Sequence, residues 1–347
     1  MQVIEREGKK YRVPGNLTRF QEDMYVHLIN WKWAHITEEA GSYTRKDKTG
    51  TPRTETYDAI LPESVQGSLP TIYPPVRDEL KQYQDKVGFR VHQHFHHMAS
   101  SQAANLNLFL PLLLHTKADE IFGHLKPDLS SIATAEFYRG FCLEFSGANS
   151  GQPTGPLGDQ SARSGTDADI AIAYLNHGGE LCLWLIEHKL TEGDFTHCGG
   201  AKSKGRNQSH DCQRSFAEIL QNKDYCYYHS GRQFEYWNLT EEFLDLYPDH
   251  LKHDVCPFKG GLNQLWRNHL LARAIEKQGK FKKAFFSVVR HPENVSLERS
   301  INTYRKLTGD RATFSELDFR RLVDAALLTK DESMKAWADW YTNLYMV

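Results

Sequence analysis

Gly165-Thr-Asp-Ala-Asp-Ile-Ala-Ile-Ala-Tyr174, and after a turn Leu181-Cys-Leu-Trp-Leu-Ile-Glu-His-Lys189, is the stretch that decides the fold. The second segment is six apolar residues that end abruptly in Glu-His-Lys, which reads as a strand buried on both faces. Side chains alternate along a strand, so Glu187 and Lys189 point to one face and His188 to the other. Asn176-His-Gly-Gly179 supplies turn residues, so the two segments form an antiparallel hairpin. Asp169, at the start of the first strand, then stands beside the end of the second. One hairpin thus brings an Asp, a Glu and a Lys to the same end of a sheet.

Two neighbouring carboxylates repel each other and suit a hard divalent cation, Mg²⁺ or Mn²⁺. Such a metal polarises a phosphoryl oxygen and lowers the pKa of a bound water. A lysine beside it orients that water or stabilises charge on the phosphate. Asp169, Glu187 and Lys189 therefore point to phosphodiester hydrolysis, with Asp169 and Glu187 as metal ligands. Asp167 competes with Asp169 for the metal position, and Asp169 is preferred because it leads directly into the apolar strand. The alternative is an ion pair at a strand end.

Asp169 followed eighteen positions later by Glu187-His188-Lys189 resembles the motif of the PD-(D/E)XK nucleases, which include many restriction endonucleases. Ala168 stands where the motif's Pro would be. A second block, Ser100-Ser-Gln-Ala followed by Asn105-x-Asn-x-Phe109-x-Pro111, is similar to a Ser-Ser-Gln helix in a restriction-endonuclease-like branch of that superfamily. The likeness runs from about Trp31 to about Pro292. It implies an α/β fold: a restriction-endonuclease-like core with a mixed central sheet flanked by helices, an N-terminal embellishment and a helical C-terminus. It also implies cleavage to a 5′-phosphate. Ser101, Gln102 and Asn105 would face the site and position water or DNA, or else serve capping and core packing. Ala135 to Phe145 reads as a strand, or a helix turning into one; by the same likeness it is a first core strand whose Glu144 is a further metal ligand, or simply an outward-facing strand Glu.

The chain has 347 residues, 25% charged and 40% hydrophobic, with a formal net charge of −2. That balance is ordinary for a globular protein and does not advertise nucleic-acid binding, so any basic surface must be local. The basic loop after the motif is one such place: Lys202, Lys204 and Arg206 among glycines suit phosphate contacts. No apolar run approaches membrane-spanning length, and the first residues do not read as a signal peptide. Six cysteines without a dense framework fit reduced thiols in the cytoplasm. Four of them, Cys198, Cys212, Cys226 and Cys256, follow the motif strand fourteen, fourteen and thirty positions apart. They are candidates for zinc or an iron–sulfur cluster, although no Cys-x-x-Cys knuckle is present, and scattered buried thiols are the alternative. His92, His94, His96 and His97 match no zinc pattern and read as polar loop residues or phosphate contacts.

Three regions are expected: 1–90 helical and irregular, 91–295 as the nuclease core, and 296–347 as C-terminal helices. Helices are expected over 17–33, 78–87, 261–277, 296–307, 313–328 and 332–346, a strand over 284–289, and an exposed loop over 41–56. Arg267 on the 261–277 helix can project toward a substrate. The reading that follows is a metal-dependent DNA endonuclease of restriction or defence, with a homodimer expected so that both strands are cut. Its rivals are a repair or recombination nuclease of the same core and a non-catalytic nucleic-acid-binding protein with a structural metal. No Walker A or Gly-rich strand-to-helix fingerprint accompanies it.

Overall fold

The computed structural model describes residues 1–46, 49–148, 153–161, 165–203, 210–309 and 312–346. The chain opens on a hairpin of β1 (Gln2–Arg6) and β2 (Lys9–Val13), turned at Glu7-Gly8 with positive φ at both residues. Helix α1 (Arg19–His35) follows, closed by a capping box between Thr18 and Gln21. The stretch expected as a loop over 41–56 is instead a second hairpin, β3 (Gly41–Lys46) with β4 (Pro52–Tyr57). Its cross-strand pairs explain the difference: Thr44 bonds Thr54 at 2.9 Å, and the Tyr43 hydroxyl donates to Glu55 at 3.1 Å. Such pairs hold a ladder together without the apolar alternation that a sequence reading relies on.

The next elements are α2 (Glu63–Gln66), α3 (Arg77–Lys86), α4 (Ser101–Leu113), α5 (Ala118–Leu125), β5 (Leu129–Ile132) and β6 (Phe141–Phe145). Then come β7 (Ala168–Asn176), β8 (Leu181–Lys189), α6 (Phe216–Gln221), α7 (Tyr227–Ser230), α8 (Tyr236–Glu242), α9 (Leu262–Lys277) and β9 (Lys283–Arg290). The chain ends in α10 (Glu298–Leu307), β10 (Phe314–Asp318), α11 (Phe319–Leu328) and α12 (Glu332–Tyr345). The expected single helix over 313–328 is therefore a strand followed by a helix. Asp318 causes the break, because its side chain accepts from the Arg321 N–H and caps α11.

The central sheet is six-stranded and mixed, as the sequence led us to expect. Its order is β10-β9-β8-β7-β5, with β6 also on β7. β8, β9 and β10 run parallel; β7 is antiparallel to β8, β5 and β6. β6 takes the first half of the β7 edge and β5 the last residues. Alternation along β7 and β8 sorts the two faces. Ile170, Ile172, Tyr174, Trp184 and Ile186 join a core with α1, α4, α5, α11 and α12. Ala171, Ala173, Leu183 and Leu185 join a second core with α9 and α10. Each buried Leu, Ile or Phe is worth on the order of 1.5–3 kcal/mol, so these cores carry the stability and leave the sheet's polar end available for chemistry.

Helix α4 shows how the first core absorbs a local defect. Pro111 lies inside it and has no N–H, so the carbonyl of Asn107 loses its helical donor. The Trp337 indole of α12 donates to that oxygen at 2.9 Å. The Asn107 amide donates to Thr71 O and to the Tyr345 hydroxyl, at 2.7 and 2.9 Å, and accepts from Tyr73 N at 2.8 Å. One buried asparagine thus joins α4, α12 and the segment before α3. Among the described residues no helix is long and apolar enough to cross a membrane.

Candidate active site

The last paired residues of the β7–β8 ladder toward the strand end are Ile170 and Ile186, which leaves Asp169, Glu187 and Lys189 just beyond. Asp169 Oδ2 accepts from the His188 backbone N–H at 2.6 Å, which fixes the carboxylate across the hairpin. Lys189 Nζ lies 2.9 Å from Glu187 Oε1. Both side chains are buried, at 7% and 4% exposure, so this pair is shielded from solvent screening. The parity expected from the sequence holds. Glu187 and Lys189 face α9, while His188 turns the other way and stacks on Phe319 of α11 at 4.8 Å.

Two residues that sequence reasoning missed complete the setting of Glu187. Gln264 Nε2 donates to its Oε1 at 2.6 Å and Asn268 Nδ2 to its Oε2 at 2.8 Å. They stand four apart on α9 and so share one face of that helix. The available signal was three amides, Asn263, Gln264 and Asn268, in the first two turns of that helix. Gln264 Oε1 also accepts from Thr196 N at 2.9 Å, tying the segment after β8 to the site. Arg267, between them, reaches Thr166 Oγ1 at 3.4 Å. Thr166 in turn bonds Asp159, which also accepts from the Tyr236 hydroxyl at 2.6 Å. Residues 153–161 are thereby tied to the chain just before Asp167.

Glu144 comes to the same place from β6. Its flanking residues pair with β7, Leu143 with Ile170 and Phe145 with Ala168. Glu144 itself has φ of 49°, a left-handed conformation that costs a non-glycine residue energy and that collects at functional sites. Its carboxylate accepts from Gln102 Nε2 at 2.7 Å and lies 3.3 Å from His92 Nε2. Gln102 also donates to Arg90 O and accepts from His92 N, so its amide is engaged within the chain. Asn105 donates to the carbonyl of Asp169 at 3.3 Å. Ser100 caps α4. Ser101, Gln102, His92 and Glu192 help line a cavity of about 360 Å³ that Tyr25 and Tyr43 also line. A larger cavity, about 940 Å³, lies between the N-terminal hairpin and α1 and shares none of these residues.

The charges are crowded. Burial, then repulsion from Glu187 and Glu144, raises the Asp169 carboxyl well above the ordinary range. Asp167 keeps solvent contact, yet its carboxyl sits deep among protein groups. Burial and the charges of Glu144 and Glu187 raise it to about 6. Burial works to lower the Lys189 ammonium, but Glu187, Glu192 and Asp169 outweigh it and hold Lys189 above its usual value. His92 is raised by its bond to Glu144. Both aspartates thus belong to one nest of carboxylates with Glu144 and Glu187. Among the described residues no three His, Cys, Asp or Glu side chains are gathered as a ready set around a single ion.

Of the basic loop, the backbone at Lys202 falls in a short 3-10 turn, Gly200–Ser203. Lys204 and Arg206 lie outside the described residues. The helix after this loop, α6, is capped by Ser215 in a capping box with Glu218. His97 is half-buried, and desolvation holds its imidazole down to about 4, while His94 packs edge-on against Tyr43. The family model that matches this chain is described as Restriction Endonuclease associating with ARP, and it covers residues 34–346. No curated protein and no solved structure matches the chain.

Proposed function

The chain belongs to the family described as Restriction Endonuclease associating with ARP, and from that premise we propose that it is a metal-dependent endonuclease that hydrolyses DNA phosphodiester bonds. One observation carries the reading: the β7–β8 hairpin sets Asp169, Glu187 and Lys189 at one sheet end, within a nest completed by Glu144 and Asp167. The Asp169 and Glu187-x-Lys189 pattern supports placing the chain with the PD-(D/E)XK nucleases.

The donor set fits a hard divalent cation. Burial and the nearby charges of Glu144 and Glu187 push Asp167 and Asp169 toward protonation, a setting that a bound dication relieves. Mg²⁺ needs only one or two protein carboxylates, taking water and phosphate oxygens for the rest. Asp169 and Glu187 would hold Mg²⁺ or Mn²⁺, with Glu144 as a further oxygen ligand. When bound, the metal would polarise the scissile phosphate and lower the pKa of an attacking water.

The remaining work falls to the chain. Lys189 is an ammonium with three donors and no lone pair, so it orients the water or neutralises a phosphate oxygen. Gln264 and Asn268 keep Glu187 in one rotamer. Gln102 holds Glu144 in its strained conformation. The cavity beside Ser101 offers a lining of aromatic rings and polar tips next to the carboxylates. The family's description names association with ARP; we extend that partner, as well as DNA, to this chain.

The test is cleavage of supercoiled plasmid in Mg²⁺, Mn²⁺ or EDTA by the wild type, Asp169→Ala and Lys189→Ala. Metal-dependent nicking or linearisation that disappears in both variants is the expected result. Cleavage that persists in EDTA, or in both variants, would overturn the assignment.

A further inference from the structure

Cysteines that lie far apart in the sequence meet beside α9. Cys198 follows β8, Cys212 precedes α6, Cys226 opens α7 and Cys256 opens the 3-10 turn Pro257–Lys259. Cys256 lies within electrostatic reach of Cys226, Cys212 and Cys198, and Cys226 within reach of Cys198. The other two cysteines, Cys142 and Cys182, sit on β6 and β8 in the sheet. None of the six forms a disulfide.

Backbone bonds bring these segments together. Asp211 N donates to Tyr225 O at 3.0 Å, which sets the residues next to each, Cys212 and Cys226, side by side. Gly199 N donates to the Tyr228 hydroxyl at 3.0 Å and draws the Cys198 segment onto α7. Phe216 N donates to His253 O at 3.1 Å and brings the chain before Cys256 to the start of α6. Phe258 stacks on Trp266 of α9 at 4.1 Å and anchors the Cys256 turn.

The sulfurs also share a local geometry. The Cys198 sulfur accepts from the backbone N–H groups of Gly200 and Ala201, Cys226 from those of Tyr228 and His229, and Cys256 from that of Phe258. In each case the donors lie two or three residues on. Backbone donors aimed at sulfur favour a thiolate over a thiol. The same backbone arrangement recurs at three unrelated points of the chain.

We propose that Cys198, Cys212, Cys226 and Cys256 form a tetrathiolate metal centre, of the chemistry that holds zinc or an iron–sulfur cluster. Among the described residues no three potential ligands are already at single-ion spacing, so loading turns these side chains inward. Metal binding displaces the thiol protons to solvent.

The centre has a structural task. Between β8 and α9 the described helices α6, α7 and α8 have six, four and seven residues. Helices of that length have little stability of their own. A metal gripping Cys198, Cys212, Cys226 and Cys256 spans nearly this whole crossover and seats it against α9, which carries Gln264 and Asn268. The proposal stands apart from the nuclease reading, since it concerns metal content rather than cleavage.

The experiment is elemental analysis for zinc and iron, with assay of acid-labile sulfide, on the full chain purified without chelator under reducing conditions. Stoichiometric zinc, or iron with matching sulfide, is expected. Asp169→Ala, Cys142→Ser and Cys182→Ser should keep it, while Cys226→Ser and Cys256→Ser lose it. Should the latter pair fail to fold, Co²⁺ titration of the wild type replaces them, and intense thiolate-to-cobalt charge-transfer absorption is expected. Retention of full stoichiometry in the cysteine variants overturns the proposal. So does a wild-type chain that takes up neither zinc nor iron and sulfide and gives no thiolate–cobalt band.

Discussion

Glu187 and His188 are neighbours on one strand and belong to two different proteins, physically speaking. Glu187 faces α9 with both oxygens taken, by Lys189 and Gln264 on one and Asn268 on the other. His188 faces α11 fully buried, with neither ring nitrogen partnered, and lies flat against Phe319 at an interplanar angle of 10°. At this end of the sheet Glu187 is held by matched donors and His188 by shape. A charge can be kept poised in a dry place only where every partner is supplied. The apolar face has no such duty and gives rigidity.

The largest effect should come from removing charge on the polar face. Asp169→Asn should lower cleavage about 10³-fold, the scale of losing one preorganised electrostatic group. It should leave the melting temperature unchanged or raised, because it removes a carboxylate that its neighbours repel. Cleavage within tenfold of wild type would mean that Asp167 takes the metal position instead. The apolar face should give the mirror image. Asn107→Ala strips the bonds to Thr71, Tyr73 and Tyr345 and should cost about 2–4 kcal/mol of stability, since buried groups lose their partners. Urea unfolding measures that loss, and cleavage per folded molecule should not change. A fall in both would blur the separation of the faces.

A smaller test sharpens the contrast at Glu187 itself. Asn268→Leu removes one donor from Oε2 and leaves Lys189 and Gln264 on Oε1. We expect about a tenfold lower kcat with KM little changed, the scale of one charge-assisted hydrogen bond. A change confined to KM would instead assign Asn268 to substrate binding.

How much of this was legible follows the same division. The hairpin could be read because a buried strand that ends in Glu-His-Lys breaks its own apolar pattern, and the parity of Glu187, His188 and Lys189 follows from alternation alone. Gln264 and Asn268 could not be assigned, because contact between a helix and a strand end more than seventy residues away depends on tertiary packing. The β3–β4 hairpin was missed because its cross-strand pairs are hydroxyls, charges and a single tyrosine stack, which carry no hydrophobic period. β10 was missed because Phe314 and Leu317 also fit a helical stripe continuing into α11, and the Asp318 cap decides between them only once the chain is folded. Glu144 was named for its place on a strand, but its left-handed backbone and its bond to Gln102 are visible only in three dimensions.

The finest comparison sets two buried histidines against each other. His188 has no partners, whereas His269, on α9, bonds the Tyr304 hydroxyl at 3.1 Å and Thr313 Oγ1 at 3.0 Å. Burial, then the positive charge of Arg273, holds the His269 imidazole down to about 3. The unfolded chain takes up its proton near 6.5, so the native state binds fewer protons than the unfolded state between those two values. The contribution of His269 is therefore intact above about pH 6.5 and is lost as the pH falls toward 3, by up to about 1.4 kcal/mol per pH unit. His269→Gln keeps an amide that can bond both hydroxyls and removes the titration. Urea midpoints from pH 7 to 5 should decline less steeply in the variant by that increment, with His188 cancelling because it is present in both. Equal slopes would mean that His269 opens to solvent before the chain unfolds, and that α9 is looser at this end than its packing against Phe286 and Phe314 implies.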